Sequence, residues 1–348
     1  MSRYYTRVCN FYFGNKSKTL VKEKKTLPLN GTNQISFDQI EIVSRKSKKK
    51  VSLNKLDSLP NNIKRKIKFD LNLIIKKKKF KNLKFSHIPK IMGVLNITPD
   101  SFSDGGMYLK KKLAYKQLNH LFDSGADIVD IGGESTRPGS KAIKVQTEWK
   151  RVKRVLQKID KKKIISLDTR KSEIMEKGIS LGVKLINDVS GLSYDKNSIN
   201  ILKKYKTPFV LQHSLGNPSV MQKNPKYKDV LLDIYDFFEE RIKFLRSIGI
   251  KHNNIILDPG IGFGKNLKHN ITILKNISIY HSLGLPILLG ISKKNFIKEL
   301  SGGNDSFSRI GGTISSCIFL MTQGVQILRV HDVNEINQSI NVFKELIK

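Results

Sequence analysis

Between residues 89 and 348, short apolar runs end in polar residues and alternate with stretches of helical spacing. The apolar runs predict strands over 90–97, 128–133, 164–169, 185–191, 208–213, 255–260, 286–292 and 326–332. They are six to eight residues long and nearly continuous rather than alternating, as expected of strands covered on both faces. Helical periodicity falls between them, for example over 110–124, 147–160, 172–181, 229–247 and 266–281. Eight strands alternating with helices over about 260 residues predict an α/β fold of the (β/α)8 TIM-barrel type, for which ~250 residues is usual. A doubly wound open sheet is the alternative, because alternation alone does not prove closure.

Residues 1–88 follow another pattern. Short apolar patches such as Ile35-Ser36-Phe37 and Ile40-Glu41-Ile42-Val43 are interleaved with basic runs. Asn30-Gly31 marks a turn, and Asp57 to Pro60 opens a helix running through Ile63, Ile67 and Leu71. The expectation is a small N-terminal α+β or partly ordered extension (1–88) ahead of a catalytic barrel (89–348). Lys76 to Lys79 reads as solvated surface.

A barrel places its chemistry at the C-terminal ends of its strands. The first predicted strand ends in Asn96 and opens into Thr98, Pro99, Asp100, Ser101, Phe102 and Ser103. The second runs into Gly133-Glu134-Ser135-Thr136-Arg137-Pro138, the third ends in Asp168-Thr169-Arg170, and the fourth ends in Asn187-Asp188. The fifth closes with Gln212-His213, and the sixth with Asp258-Pro259-Gly260-Ile261-Gly262-Phe263-Gly264-Lys265. Ser292-Lys293-Lys294 follows the seventh, and Arg329-Val330-His331-Asp332 forms the eighth. Singly, such residues are helix caps or solvated charges. Gathered at one rim, Asp168, Asn187 and Asp258 offer acceptors to a flat heterocycle bearing several N–H donors. Lys294 suits a ring carbonyl or nitrogen, and Arg329 can stack on an aromatic ligand or bind an anion. Asn96, Arg137 and His331 form a second group suited to phosphate oxygens, with or without magnesium.

Composition changes this picture little. The formal charge of +35 suggests a nucleic-acid or anionic-membrane partner, yet the lysines are spread along the whole chain without a nucleic-acid-binding motif. A compositional bias explains them better, and nucleic acid is not expected as a partner. The two cysteines, Cys9 and Cys317, support neither a disulfide framework nor a zinc site. No apolar run approaches the ~20 residues of a membrane span, and no signal-peptide core opens the chain. The expected location is the cytoplasm.

The motifs GVLNITPDSFSDGG (93–106), GGESTRPGS (132–140), SLDTRK (166–171), INDVSG (186–191), DPGIGFGKN (258–266), GISKKNF (290–296) and RVHD (329–332) resemble, in order, those of the dihydropteroate synthases. The resemblance covers nearly all of 90–348 and little of 1–88. It implies a usually dimeric barrel in folate biosynthesis that uses Mg2+. In the implied reaction, p-aminobenzoate displaces pyrophosphate from 6-hydroxymethyl-7,8-dihydropterin diphosphate. By resemblance, Asp168, Asn187, Asp258, Phe263, Lys294 and Arg329 hold the pterin, with Asp168, Lys294 and Arg329 as the catalytic set. Asn96, Arg137 and His331 match the diphosphate site, and Asn96 also matches the metal position. Phe102, Thr136, Pro138 and Ser292 match the p-aminobenzoate pocket, with Ser292 expected to begin a helix whose N–H groups face the carboxylate.

Two departures stand out. Lys293 replaces the family's usual Arg after strand seven, and Gln212 stands where Met commonly precedes the strand-five His. A pterin-binding methyltransferase is one rival reading, but it needs no diphosphate group such as Arg137 and His331. The other is an idle barrel with a basic arm that binds nucleic acid or protein.

Overall fold

The computed structural model describes residues 3–80, 83–98, 107–135, 140–215, 225–302, 305 and 308–348. The N-terminal module runs β1 (Tyr5–Phe13), α1 (Gly14–Lys22), β2 (Leu27–Leu29), β3 (Thr32–Val43), β4 (Lys48–Ser52) and α2 (Asn61–Ile75). Strand β3 is the hub, pairing antiparallel with β1, β2 and β4. Asn30 and Gly31, at φ of 53° and 72°, form the two-residue connection between β2 and β3. Two successive left-handed residues match the right-handed twist of a hairpin, which is why an Asn-Gly pair serves there. Val8, Ile35, Phe37 and Ile40 on the sheet pack against Ile67, Leu71 and Ile74 of α2 as a core of the module's own.

A short hairpin follows, β5 (Lys79–Phe80) and β6 (Leu83–Lys84), and then the barrel. The barrel runs β7 (Lys90–Asn96), α3 (Met107–Asp123), β8 (Ile128–Gly132), α4 (Val145–Leu156), β9 (Ile164–Asp168), α5 (Ser172–Ser180), β10 (Leu185–Asp188) and α6 (Ser198–Tyr205). It continues with β11 (Phe209–Gln212), α7 (Val230–Ser247), β12 (Ile255–Asp258), α8 (Leu267–Lys275), β13 (Leu288–Gly290), α9 (Asn295–Ser301), α10 (Ile310–Thr322), β14 (Ile327–Val330) and α11 (Val333–Leu346). The eight parallel strands run in the order β12-β11-β10-β9-β8-β7-β14-β13. A parallel bridge from Leu257 to Ile287, with the Leu257 N–H donating to the Pro286 carbonyl at 2.9 Å, joins the two ends. The sheet is closed, as the alternation of strands and helices predicts, and the open-sheet alternative falls away.

Side-chain alternation divides the barrel interior into levels. Met92, Ile128, Leu185, Val210, Ile256 and Ile327 fill the end where the strands begin. Phe80 and Leu83 of the β5–β6 hairpin join the same cluster, so the hairpin forms the barrel floor. Two positions further along, the strands carry Asp130, Asn187, Gln212, Asp258 and Arg329 instead, and the interior turns from apolar to polar.

The N-terminal module is docked on the barrel. The Ser278 hydroxyl donates to the Val8 carbonyl at 2.9 Å, and the Tyr5 hydroxyl donates to Asp236 on α7 at 2.8 Å. Arg45 reaches Asp233 and Asp236, both at 2.7 Å. Leu29 packs against Gly324 so closely that a Cβ there would lie 2.3 Å from a Leu29 methyl. Two expectations need correction. Lys78 is buried rather than solvated, donating to the Leu73 carbonyl at 2.7 Å, and burial pushes its ammonium down to about 7. The helix expected over 266–281 is two pieces, α8 and a 3-10 turn at Ile277–Leu283, because that turn bends under the N-terminal sheet.

Candidate active site

Register brings the polar strand ends together. Asn96 pairs with Gly132, Gly132 with Asp168, Asp168 with Asn187, and Gln212 with Asp258. Neighbours paired in a parallel sheet face the same side, so these side chains share the barrel mouth. Gly132 leaves space over which its neighbours lean: a Cβ there would meet Asn96 Oδ1 at 3.4 Å and Asp168 Oδ2 at 3.7 Å.

The centre is an ion cluster. Arg329 of β14 donates from Nη2 to Asp168 Oδ2 at 2.9 Å and from Nε to Asp130 Oδ2 at 2.7 Å. The same Asp130 oxygen accepts from Asn187 Nδ2 at 2.9 Å. Asp168 Oδ1, Asn187 Oδ1 and Asp130 Oδ1 are buried and accept nothing from the described residues. Buried acceptors left unmatched cost about 1–3 kcal/mol each, so they signal a donor-bearing guest or ordered water. Burial, reinforced by the Asp130 carboxylate and opposed by Arg329, pushes Asp168 up to about 8.

The opposite wall comes from β12 and the turns after β12 and β13. Asp258 Oδ1 accepts from the Gly260 N–H at 2.8 Å, and burial raises the carboxyl to about 6. Gly260 takes φ of 70° with the His213 carbonyl where a Cβ would be, at 2.1 Å. Gly262, at φ of 79°, lets the Lys294 stem pass, the Lys294 Cδ lying 3.3 Å from a Cβ position. Lys294 Nζ then stands 4.3 Å from the centre of the Phe263 ring. Burial, aided by Arg329 and opposed by Asp258 and Asp168, lowers Lys294 to about 8. Behind this wall, Lys265 donates to the Phe263 carbonyl at 2.9 Å and lies 3.1 Å from His213 Nδ1.

The predicted residues therefore divide. Asp168, Asn187, Asp258, Lys294 and Arg329 gather at the barrel mouth with Phe263 against Lys294, and Asn96 leans toward Asp168 across Gly132. Ser292 and His331 touch, Oγ to Nδ1 at 3.1 Å, tying the end of β13 to that of β14. Phe102, Thr136, Arg137 and Pro138 lie outside the described residues. Ser292 does not begin a helix: α9 starts at Asn295, since Lys293 takes a left-handed φ of 58° to place its Nζ 2.8 Å from Asp332. Beside the mouth, Glu134 accepts from the Ile143 N–H at 2.8 Å and from Arg170 Nε at 3.0 Å, and pairs with Lys171 at 3.1 Å.

Sequence reasoning missed Asp130 and gave Glu134 and Lys265, although placed at the rim, no role. A carboxylate at Asp130 amid the apolar Ile128-Val129 and Ile131 was the available signal.

The sequence pattern of the pterin binding enzymes matches residues 92–331. The dihydropteroate synthase of Escherichia coli K12 is 39% identical over 263 residues, covering 75% of this chain and 92% of that protein. That of Neisseria meningitidis serogroup B is 41% identical over 265 residues, 74% of this chain and 93% of the relative. Among solved structures, the Xanthomonas albilineans dihydropteroate synthase with 4-aminobenzoic acid superposes at a TM-score of 0.70 with 35% identity, covering 74% of this chain and 93% of that one. The same enzyme in complex with 7,8-dihydropteroate gives 0.67 and 32%, covering 74% and 94%.

Proposed function

This chain belongs to the pterin-binding enzyme family and acts as a dihydropteroate synthase, and we propose how its barrel mouth divides that work. The enzyme is a transferase. It joins p-aminobenzoate to 6-hydroxymethyl-7,8-dihydropterin diphosphate and releases pyrophosphate, a step of folate biosynthesis. The observation supporting the assignment of roles is the convergence of unmatched acceptors, Asp168 Oδ1 and Asn187 Oδ1, beside Lys294 and Arg329. A dihydropterin presents several N–H donors along one edge and a carbonyl on another, so its edges match that mixed lining.

In this reading Asp168, Asn187 and Asp258 accept from the pterin edge, and Lys294 donates to its carbonyl or ring nitrogen. Phe263 supports the Lys294 ammonium and one face of the pocket. As the bond to the diphosphate breaks, positive charge develops on the pterin methide, and the buried carboxylates Asp168 and Asp258 stabilise it electrostatically. Arg329, Arg137 and His331 hold the departing diphosphate oxygens. The neutral aniline nitrogen of p-aminobenzoate, held by Phe102, Thr136, Pro138 and Ser292, then attacks the methylene carbon and loses its proton.

A magnesium ion is part of this reading. No three His, Cys, Asp or Glu side chains gather as a metal site among the described residues. Asn96 nevertheless brings a side-chain oxygen to the rim, and Mg2+ is commonly held by one or two protein oxygens together with substrate phosphates and water. Bound at Asn96, the ion would neutralise charge on the leaving diphosphate.

The protein also works, in this reading, as a cytoplasmic homodimer. The α10 helix turns Ile314 and Ile318 partly outward and leaves Phe319 exposed, an apolar face that a second copy would cover. No described helix is long and apolar enough to cross a membrane.

The deciding experiment gives purified protein the pterin diphosphate and p-aminobenzoate, and separately methyltetrahydrofolate with a methyl acceptor. Pyrophosphate and dihydropteroate in the first, with no methyl transfer in the second, are expected. The reverse result would overturn the assignment.

A further inference from the structure

We propose that Asp130 is a positioning residue that fixes which end of the Asn187 amide meets the pterin, and thereby sets the donor–acceptor pattern the pocket reads. The inference rests on the function proposed above.

An asparagine side chain can show either its oxygen or its NH2 to a guest, at almost no cost in shape. Asn187 has no such freedom. Asp130 is fully buried in the wall beneath it, and its Oδ2 accepts from Asn187 Nδ2 at 2.9 Å. A carboxylate only accepts, so the amide nitrogen must turn toward it. Among the described residues the Asn187 oxygen has no partner, and neither has Asp168 Oδ1 on the neighbouring strand.

Turning the amide over would remove this pair of acceptors. It would set an NH2 next to the Asp168 carboxylate, and the two would bond to each other instead of to a ligand. Asp130 thus keeps the site from satisfying itself. Because the same oxygen holds Arg329 Nε at 2.7 Å, one buried atom orients both the acceptor and the cation of the pocket.

Three variants test this. Asp130→Leu, of similar size, removes the oxygen that accepts from Asn187 Nδ2, which frees the Asn187 amide to turn. The KM for the pterin diphosphate should rise about tenfold, the worth of one mispaired buried hydrogen bond, while the KM for p-aminobenzoate stays within about twofold. Asn187→Asp alone sets two carboxylates against each other and should bind pterin worse still. The double variant, Asp130→Leu with Asn187→Asp, has no carboxylate below and shows the ligand an acceptor whichever way the side chain at 187 turns. Its KM should fall below that of either single variant, a recovery expected only where contacting residues couple. An unchanged KM in Asp130→Leu, or a double variant no better than its worse parent, overturns the proposal. Should Asp130→Leu fail to fold, Asp130→Ala takes its place in both comparisons. Wild-type protein that releases no pyrophosphate from the two substrates refutes the underlying function, whatever the variants do.

Discussion

Arg329 Nη2 and Asp168 Oδ2 lie 2.9 Å apart although 161 positions separate them in the chain, and Asp168 keeps its other oxygen unmatched. Burial and the Asp130 carboxylate hold this acid at about 8, so below that pH the free protein keeps much of it protonated. A ligand donating N–H bonds to it favours the ionised form and lowers that value. Binding of a dihydropterin between pH 7 and 8 should therefore release protons. Calorimetry in buffers of different ionisation enthalpy measures the release, and Asp168→Asn should abolish it. Proton uptake instead would show that the ligand does not donate to Asp168.

Lys294 gives a second pH signature. Its ammonium is lowered to about 8 by burial and by Arg329, so it loses charge as pH rises through that value. Asp258, raised to about 6 by burial, loses charge as pH falls through about 6. Turnover should fall on both sides. Lys294→Arg keeps its charge far into the alkaline range, so its alkaline limb should move upward while the acid limb stays. A profile whose two limbs were both unmoved would remove Lys294 from the titrating set.

Gln212 is buried beside Asp258, and its Nε2 has no partner among the described residues. Replacing it by Met, of similar length, removes an unmatched donor and should stabilise the ligand-free protein by about 1–3 kcal/mol. Pterin binding should weaken at the same time if the amide turns to the ligand. Denaturant unfolding with and without a pterin separates the two effects, and loss of stability in the free variant would contradict this account.

The N-terminal module should depend on its apolar contacts more than on its ion pairs. Arg45 meets two aspartates but remains 41% exposed, so Arg45→Ala should cost at most about 1 kcal/mol. Phe80 sits in the barrel floor, and Phe80→Ala should cost about 3–5 kcal/mol. The two unfolding midpoints, taken side by side, check the ranking.

The strands and the strand-end residues were legible because both follow local rules. Apolar runs of strand length recur, and a closed barrel sends each run's polar end to one rim. Less legible was what depends on distant partners. Lys78 belongs to a lysine run and looks solvated until the docked module buries it. The position of Ser292 turns on the bond between Lys293 and Asp332, thirty-nine positions apart. Asp130 reads as an odd polar residue inside a strand, and only Arg329 and Asn187, brought in by closure, give it a purpose.

The hairpin bearing Phe80 and Leu83 joins the apolar residues that fill one end of the cylinder, which closes that approach to the polar level. A ligand that reaches the depth of Asp168 and Asp258 therefore comes and goes by the end where the strands finish.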